Sequence, residues 1–334
     1  MNNNNKIRVL QVINGFGYGG IRALIMNYLQ YLDKDKFDID IYAFGCSESP
    51  FTDQVKKFGA NIYFEPENNA RNIPRFIKQL YQFMKQHGQY DVVHAHNNLI
   101  STWVLLAAKI ARIPIRLPHS HSTAHFSNSI TQNCYSHLRR FLLKFLSTKN
   151  LACGQLAGQT MYGKNAKFDI IANGIPINRF TDRNEAVIKK LRDKLNIPIG
   201  VRVYANVTRL DAYKNHVFAI EVFKEIHKLD PTALFIYGGV LPQIASTQLL
   251  VEQKIKEYNL EAYCRFTEPV LEIEQLYHLS DVWIYCSTSE GLPFGPIELQ
   301  AAGVPVLASD VITDEIDLNL GLIEFLSLND SPKA

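Results

Sequence analysis

Short runs of β-branched and aromatic residues alternate with amphipathic stretches along nearly the whole chain. KIRVLQVI (6–13) reads as a strand, followed by the glycine-rich loop NGFGYGG and an apolar helical stretch, IRALIMNYLQYL. FDIDIYAF is a second strand. RNIPRFIKQLYQFMKQHG places Ile77, Leu80, Tyr81 and Met84 at helical spacing. YDVVHAH then reads as a strand, NLISTWVLLAAKIARI as a helix and PIRLPHSH as a strand, with NLACG and KFDIIAN as shorter strands. A second series begins at VRVYANVTRL, followed by the helix KNHVFAIEVFKEIHKL, the strand ALFIYGG and the helix TQLLVEQKIKEYNL. CRFTEPV, DVWIYCS and VPVLASD continue it as strands, separated by the helices LEIEQLYHLS and GPIELQAAG. Such alternation predicts an α/β protein with parallel sheets covered by helices on both faces.

Two series of similar length predict two Rossmann-like domains. Gly, Pro and charge concentrate in NGIPINRFTDRNEAVIKKLRDKLNIPIG (173–200), which places the boundary there. The expected domains are 1–175 and 176–334. Ligands of such folds sit at the C-terminal ends of strands, and two domains make the cleft between them the expected site.

Composition narrows the class. Of 334 residues, 47% are hydrophobic and 20% charged, the balance of an ordered globular chain. A net charge of +3 gives no field that argues for nucleic acid. Five scattered cysteines form no CxxC pair, which predicts thiols in a reducing compartment. MNNNNKIRVL lacks the apolar core of a signal peptide, and WVLLAAKIARIPI is broken by Lys109, Arg112 and Pro114 before it reaches membrane-spanning length. The expectation is a cytoplasmic protein.

Chemistry concentrates in STSEGLPFGPIELQAAGVPVLASD (287–310), where Glu290 and Glu298 flank seven residues that include two Gly and two Pro. Pro296 suits a first helical turn, so Glu290 is expected in the loop and Glu298 in that turn. The N–H groups of Gly291, Leu292 and Gly295 would then lie near a helix N-terminus, which attracts anions. A nucleotide sugar reconciles acids with an anion site, because its diphosphate is flanked by hydroxyls that carboxylates accept from. Solvated or dipole-favouring acids are an equal reading of this stretch alone. In NVTRLDAYKNH, Arg209 and Lys214 follow a strand, where they can neutralise phosphate or simply face solvent. GFGYGG lies between a strand and a helix like a phosphate-binding turn, but its spacing is not GxGxxG, and a tight turn is an equal reading. HAH (His94, His96) and HSHSTAH (His119, His121, His125) carry two HxH patterns at strand ends. Metal ligation is disfavoured because partner acids are missing, and a neutral histidine bonded to a sugar is preferred. Asp38 and Asp40 form a DxD in an early strand and are discounted as a metal site.

With these residues collected, the chain resembles the retaining family-4 glycosyltransferases of the GT-B fold, over nearly its full length. SEGLPFGPIELQAAGVPVLASD matches the family's pair of acids separated by seven residues, and VTRLDAYKNHVFAIEVF its Arg and Lys. DVVHAHN, RLPHSHS and IIANGIPINRF match further segments. The resemblance implies an acceptor-side first domain and a second domain that binds a nucleotide diphosphate sugar, most readily a UDP-sugar. It implies that Arg209 and Lys214 hold the departing diphosphate, Glu290 meets the sugar hydroxyls and Glu298 the ribose. Gly291, Leu292, Pro293 and Phe294 line the donor loop. The backbone from Arg265 and Phe266 to Val270 frames the base, and Gly19 and Gly20 approach the phosphate. His121 stands by the donor sugar, with His119 as the alternative. No metal or other cofactor is implied, and the departing phosphate helps take the acceptor proton.

Three departures stand out. Arg22 replaces an acid frequent in relatives, Thr208 replaces a frequent Gly, and the chain stops at Ala334 where relatives continue with further helices, which reads as a truncated C-terminal end. The expected acceptor is a saccharide or lipid-linked saccharide of a surface polysaccharide such as a capsule or exopolysaccharide. Basic residues in two helices, Arg71, Arg75, Lys78 and Lys85 in one and Arg139, Arg140, Lys144 and Lys149 in the other, fit either peripheral contact with anionic lipid or a solvated face. The competing functions are a catalytically silent donor-binding subunit and a metal-dependent hydrolase built on the HxH pairs.

Overall fold

The computed structural model describes residues 6–67, 70–123, 130–239, 246–270 and 272–333. The chain divides into two compact units, Met1–Gly174 and Ile175–Ala334. The first unit is built on β1 (Ile7–Asn14), β2 (Phe37–Phe44), β3 (Asn61–Glu65), β4 (Val92–Ala95), β5 (Ile115–Ser120), β6 (Leu151–Ala152) and β7 (Asp169–Ile170). They form one sheet in the order β3-β2-β1-β4-β5-β6-β7, every neighbouring pair parallel. The second unit carries β8 (Val203–Val207), β9 (Leu234–Gly238), β10 (Cys264–Thr267), β11 (Val282–Tyr285), β12 (Val306–Ser309) and β13 (Ile323–Leu326). Its parallel sheet runs β10-β9-β8-β11-β12-β13.

The central strands are apolar because helices cover both faces of the sheet. One core on the first sheet joins Leu10, Val12, Tyr42, Phe44 and Val93 to Phe76, Leu80, Phe83 and Met84 of the helix Ile73–Gln86. A second core joins Val9, Ile13, Ile39 and Ile41 to Ile25, Met26 and Leu29 of the helix Gly20–Tyr31. Alternate residues of β1 therefore feed different cores, as the pleat requires.

Five elements differ from the sequence expectation. Asn61–Glu65 is a strand and Thr52–Lys57 a helix, neither of which the periodicity predicted. The tail GLIEFLSLND supplies β13, an edge strand with half its residues exposed. The polar stretch 173–200 carries the helices Ile177–Thr181 and Glu185–Lys194, the latter capped by the Asn184 side chain. Its charges lie on exposed helix faces, which made it resemble a linker.

Each sheet reverses its strand order once, and this positions the chemistry. In the first unit the chain moves outward from β1 through β2 and β3, then returns to β4 on the other side of β1. In the second it does the same around β8 and β11. At such a switch point two adjacent loops diverge and leave a crevice beyond the strand ends. The loops concerned are 15–19 after β1, 96–98 after β4, 208–215 after β8 and 286–293 after β11. Close backbone approach marks the ends of β8, β9 and β10 in the second sheet. A Cβ on Gly238 would lie 2.1 Å from the Thr267 carbonyl oxygen, and one on Gly239 2.2 Å from that of Thr208.

Candidate active site

The switch point of the second unit gathers three predicted residues. After β8, a short 3₁₀ turn (Ala212–Lys214) is followed by Asn215 at φ 54°, a left-handed conformation that Asn tolerates, and then by the helix His216–Leu229. His216 is buried, and its Nε2 lies 3.0 Å from Thr208 Oγ1 and 3.2 Å from the Arg209 carbonyl oxygen. Burial lowers its pKa to about 4, so it holds this loop as a neutral ring. The departure at Thr208 thus supplies a hydroxyl to this contact. Thr288 N donates to the Tyr213 carbonyl at 2.8 Å and so fastens the β11 loop to the turn.

Lys214 Nζ donates to Glu290 Oε1 and, at 3.1 Å, to the Tyr285 hydroxyl. That hydroxyl donates to the same Glu290 oxygen at 3.0 Å. The two charged side chains are only 11% and 13% exposed, so the pair is poorly screened. Burial, then the Glu290 charge, pushes the Tyr285 phenol well above its usual range, so its proton stays on. Arg209 is more open, and its guanidinium is held by Asp211 at 3.2 Å and by the Tyr213 hydroxyl. The arrangement is a pair of cations at a strand end, each steadied by a carboxylate and a phenol.

Glu298 requires a correction. The helix begins at Phe294 and runs to Ala301, with Pro293 as its N-cap and Pro296 third. Glu298 is therefore its fifth residue, beyond the first turn, and gains little from the dipole at the helix start. Its Oε2 accepts from the Tyr277 hydroxyl at 2.7 Å. Tyr277 is fixed edge-on against Trp283, with ring centroids 5.0 Å apart. Leu292 and Phe294 are buried, Gly291 and Pro293 are buried beside them, and Gly295 lies at the second helical position.

The residues expected at the base are of mixed character. The Arg265 guanidinium bonds the Leu195 carbonyl at 2.9 Å and the Ala262 carbonyl at 2.8 Å, which makes its side chain a brace. Phe266 packs edge-on against Tyr237 at 5.5 Å in the sheet core. Both side chains are thus committed to the fold, and only their backbone remains to face a ligand. Val270 is half-buried in the loop after β10.

In the first unit, Gly19 caps the helix Gly20–Tyr31 at φ 157°, and both glycines are exposed. A Cβ on Gly19 would meet nothing within 4 Å, which leaves open space at this helix start. Arg22 lies over the Phe51 ring at 4.1 Å, where an acid could not substitute for it. Asn97 ties the loop after β4 to the end of β1: its Oδ1 accepts from Asn14 N at 2.7 Å and its Nδ2 donates to the Val12 carbonyl at 3.0 Å.

The HxH patterns form one quartet of rings. His94 Nε2 is 3.1 Å from His119 Nδ1, and His96 Nδ1 is 2.9 Å from His121 Nε2. His94, His96 and His119 are buried, while His121 keeps an accessible edge. Burial, reinforced by neighbouring rings, holds His94, His96 and His121 well below the usual imidazole range; burial brings His119 to about 4. All four are neutral at physiological pH. Ligand atoms of His94, His96 and His119 lie within 4.8 Å of one another, close enough to hold a metal ion. Catalytic metals keep an open coordination position for water or substrate. These three rings are 6%, 2% and 0% exposed, so the cluster offers no such opening. His125 lies outside the described residues. Of the DxD pair, Asp40 is buried and accepts from Tyr90 at 2.7 Å and Asn61 at 2.9 Å, which commits it to the fold.

Three residues with clear roles escaped the sequence reading: Tyr277, Tyr285 and Gln11. Gln11 carries the one available signal, a polar side chain inside the apolar run VLQVI of a central strand, where a buried amide must find a partner.

Comparison with known proteins agrees with the geometry. Residues 187–314 match the family described as Glycosyl transferases group 1, and residues 18–179 match Glycosyltransferase Family 4. The chain is similar to EpsF of Bacillus subtilis (strain 168), named as a glycosyltransferase, at 27% identity over 98% of this chain and 85% of that one. It is similar at 25% identity to an Escherichia coli UDP-Gal:alpha-D-GlcNAc-diphosphoundecaprenol alpha-1,3-galactosyltransferase, over 87% and 76% of the two chains. Among solved structures, Anabaena HepE in complex with UDP-glucose superposes with a TM-score of 0.78 at 18% identity, over 98% of this chain and 87% of that one.

Proposed function

Because the chain belongs to the group 1, family-4 glycosyltransferases of the GT-B fold, which draw on nucleotide sugars, we propose that it moves a hexose from a UDP-sugar to a lipid-linked saccharide during surface-polysaccharide synthesis. The observation that carries this reading is the Lys214–Tyr285–Glu290 cluster at the second switch point. The named donor and acceptor of the Escherichia coli relative support the choice of UDP and of a lipid-linked acceptor.

The chemistry follows from charge. As the bond between the sugar and the diphosphate breaks, its electron pair passes to the phosphate oxygen. Lys214 and Arg209 neutralise that gain, which lowers the barrier because the charge is largest in the transition state. The acceptor oxygen forms its bond on the face the phosphate leaves, so configuration is retained, and its proton passes to the departing phosphate. Glu290 takes a sugar hydroxyl and Glu298 the ribose, each carboxylate offering about four acceptor sites. His121 bonds a sugar hydroxyl. No step needs a metal.

A lipid-linked acceptor also calls for contact with a bilayer, for which other residues than the basic ones are the better candidates. Arg140 bonds the carbonyls of Thr160 at 2.8 Å and Met161 at 3.3 Å, and Arg139 lies over the Tyr135 ring at 4.3 Å. These two support the fold and are poor candidates for lipid headgroups. The same helix, Ile130–Leu146, instead exposes Tyr135, Leu138, Phe141 and Phe145 along one face, with Lys144 beside them. The helix Ile73–Gln86 shows no such stripe, since its large apolar residues pack on the core. No helix among the described residues is long and apolar enough to cross a membrane. Phe141→Ser with Phe145→Ser is expected to reduce co-sedimentation with anionic vesicles several-fold; each exposed ring carries about 1.5–3 kcal/mol of burial energy when fully buried. Unchanged sedimentation would remove the membrane claim.

The direct test screens UDP-sugars by thermal shift and then follows transfer to an undecaprenyl-diphosphate saccharide, with and without EDTA. A donor at about 100 times its Kd stabilises the protein by about 2.7 kcal/mol, which is readily seen as a raised Tm. Transfer unaffected by EDTA is the expected result. Binding without transfer or donor hydrolysis favours the silent-subunit reading. Activity lost to EDTA and restored by a divalent ion would overturn the metal-free reading.

A further inference from the structure

We propose that Gln11 is a positioning residue: acting through His96, it holds His121 in the one tautomer whose Nδ1 is a hydrogen-bond acceptor. The proposal rests on the reading of His121 as the ring that meets the donor sugar. Three adjacent strands place the groups. Gln11 on β1 stands opposite His94 on β4 in the parallel register, so it lies one row from His96 on the same sheet face. Its Oε1 is 2.6 Å from His96 Nε2, and both residues are buried.

The protons are then determined in sequence. An amide oxygen only accepts, so His96 Nε2 carries the proton and donates it. A neutral imidazole has one N–H, so His96 Nδ1 is a bare lone pair. That atom is 2.9 Å from His121 Nε2, which must therefore be the donor. His121 Nδ1 is left as the acceptor, on the only ring of the quartet with an accessible edge. It suits a sugar hydroxyl, which donates one proton. Were the amide turned over, every proton in the series would shift and Nδ1 would become a donor. Burial keeps all these rings neutral, so the polarity of the series survives over the working pH range.

The tautomers are read from long-range ¹H–¹⁵N correlation spectra of the full chain labelled with ¹⁵N-histidine, the His121 signals being assigned from the spectrum of His121→Asn. The unsubstituted protein should show His121 wholly in its Nε2–H form. Gln11→Met keeps the length of the side chain and removes the acceptor; His121 should then populate both tautomers and kcat/KM should fall roughly 3- to 10-fold. Gln11→Glu restores an acceptor oxygen and should recover the single tautomer and most of the activity. An Nδ1–H form in the unsubstituted protein overturns the proposal, and that measurement needs no folded variant. So does a Gln11→Met protein with an unchanged His121 spectrum. The activity of His121→Asn separates the two readings: if it matches the unsubstituted enzyme, His121 does not serve the sugar, whatever its tautomer.

Discussion

Lys214→Ala is expected to lower kcat by about 10²- to 10³-fold, with a much smaller loss of donor affinity. On the proposed reading its ammonium meets a diphosphate that gains negative charge only as the glycosidic bond breaks, and removing one such preorganised group typically costs this much. Arg209→Ala should act in the same direction but less strongly, since Arg209 is 45% exposed and water shares its work. Glu298→Ala should instead raise KM with kcat nearly unchanged, because the ribose hydroxyls it is proposed to bind do not change during the reaction. Tyr285→Phe reports on the cluster itself: it removes the phenol that Lys214 and Glu290 share and should lower kcat while leaving the ion pair in place. Steady-state kinetics on the four variants, with circular dichroism to confirm folding, gives the answer. A Lys214→Ala enzyme within threefold of normal turnover would mean that this cluster only braces two loops.

Acid should unfold the first unit before the second. His94, His96, His119 and His121 are neutral in the fold because burial keeps their pKa values low. In the unfolded chain each takes up a proton near pH 6.5. Below that pH the unfolded state binds more protons, so stability falls as pH falls; each ring contributes a loss of about 1.4 kcal/mol per pH unit. For His119 the loss continues down to about pH 4, its folded value. The second unit holds one fully buried ring among its described residues, His216. Thermal melts at pH 7.5, 6.0 and 5.0 should therefore show a low-temperature transition that separates and drops several times faster than the other. A Tm that is flat across this range would show that the quartet takes up protons without cost, and that the rings are more hydrated than their burial implies.

Much of the architecture was legible because strand periodicity is local. FDIDIYAF is a strand over the very residues predicted, 37–44, and the glycine loop, both HxH pairs and the EGLPFGPIE stretch stand at strand ends as expected. What escaped depends on partners distant in sequence. NIYFE becomes β3 because β2 offers it a free edge, and GLIEFLSLND becomes β13 beside β12 for the same reason. The acids were visible, but the phenols that hold them were not. Tyr277 lies 21 residues from Glu298, and Tyr285, five from Glu290, lies 71 from the Lys214 it also bonds. Glu298 falls just beyond the first turn because the helix begins at Phe294, one residue before the Gly295 start that GPIELQAAG predicts, while Pro296 does lie in the first turn. Gln11 shows the same limit from the other side: its polarity was visible in VLQVI, but its partner is 85 residues away.

The five thiols differ enough in accessibility to make the protein a reporter of its own docking. Cys153, Cys264 and Cys286 are buried, and burial raises the last two to about 12, so they resist alkylation at neutral pH. Cys46 is half-buried and also raised. Cys134 is exposed, on the helix Ile130–Leu146. It sits one helical turn before Leu138 and in line with Phe141 and Phe145, on the face proposed to meet lipid. A maleimide dye sensitive to polarity would therefore attach there first, in the unmutated chain. Its emission should shift to the blue when vesicles are added and return when they are removed, giving an optical readout of the bound fraction during turnover.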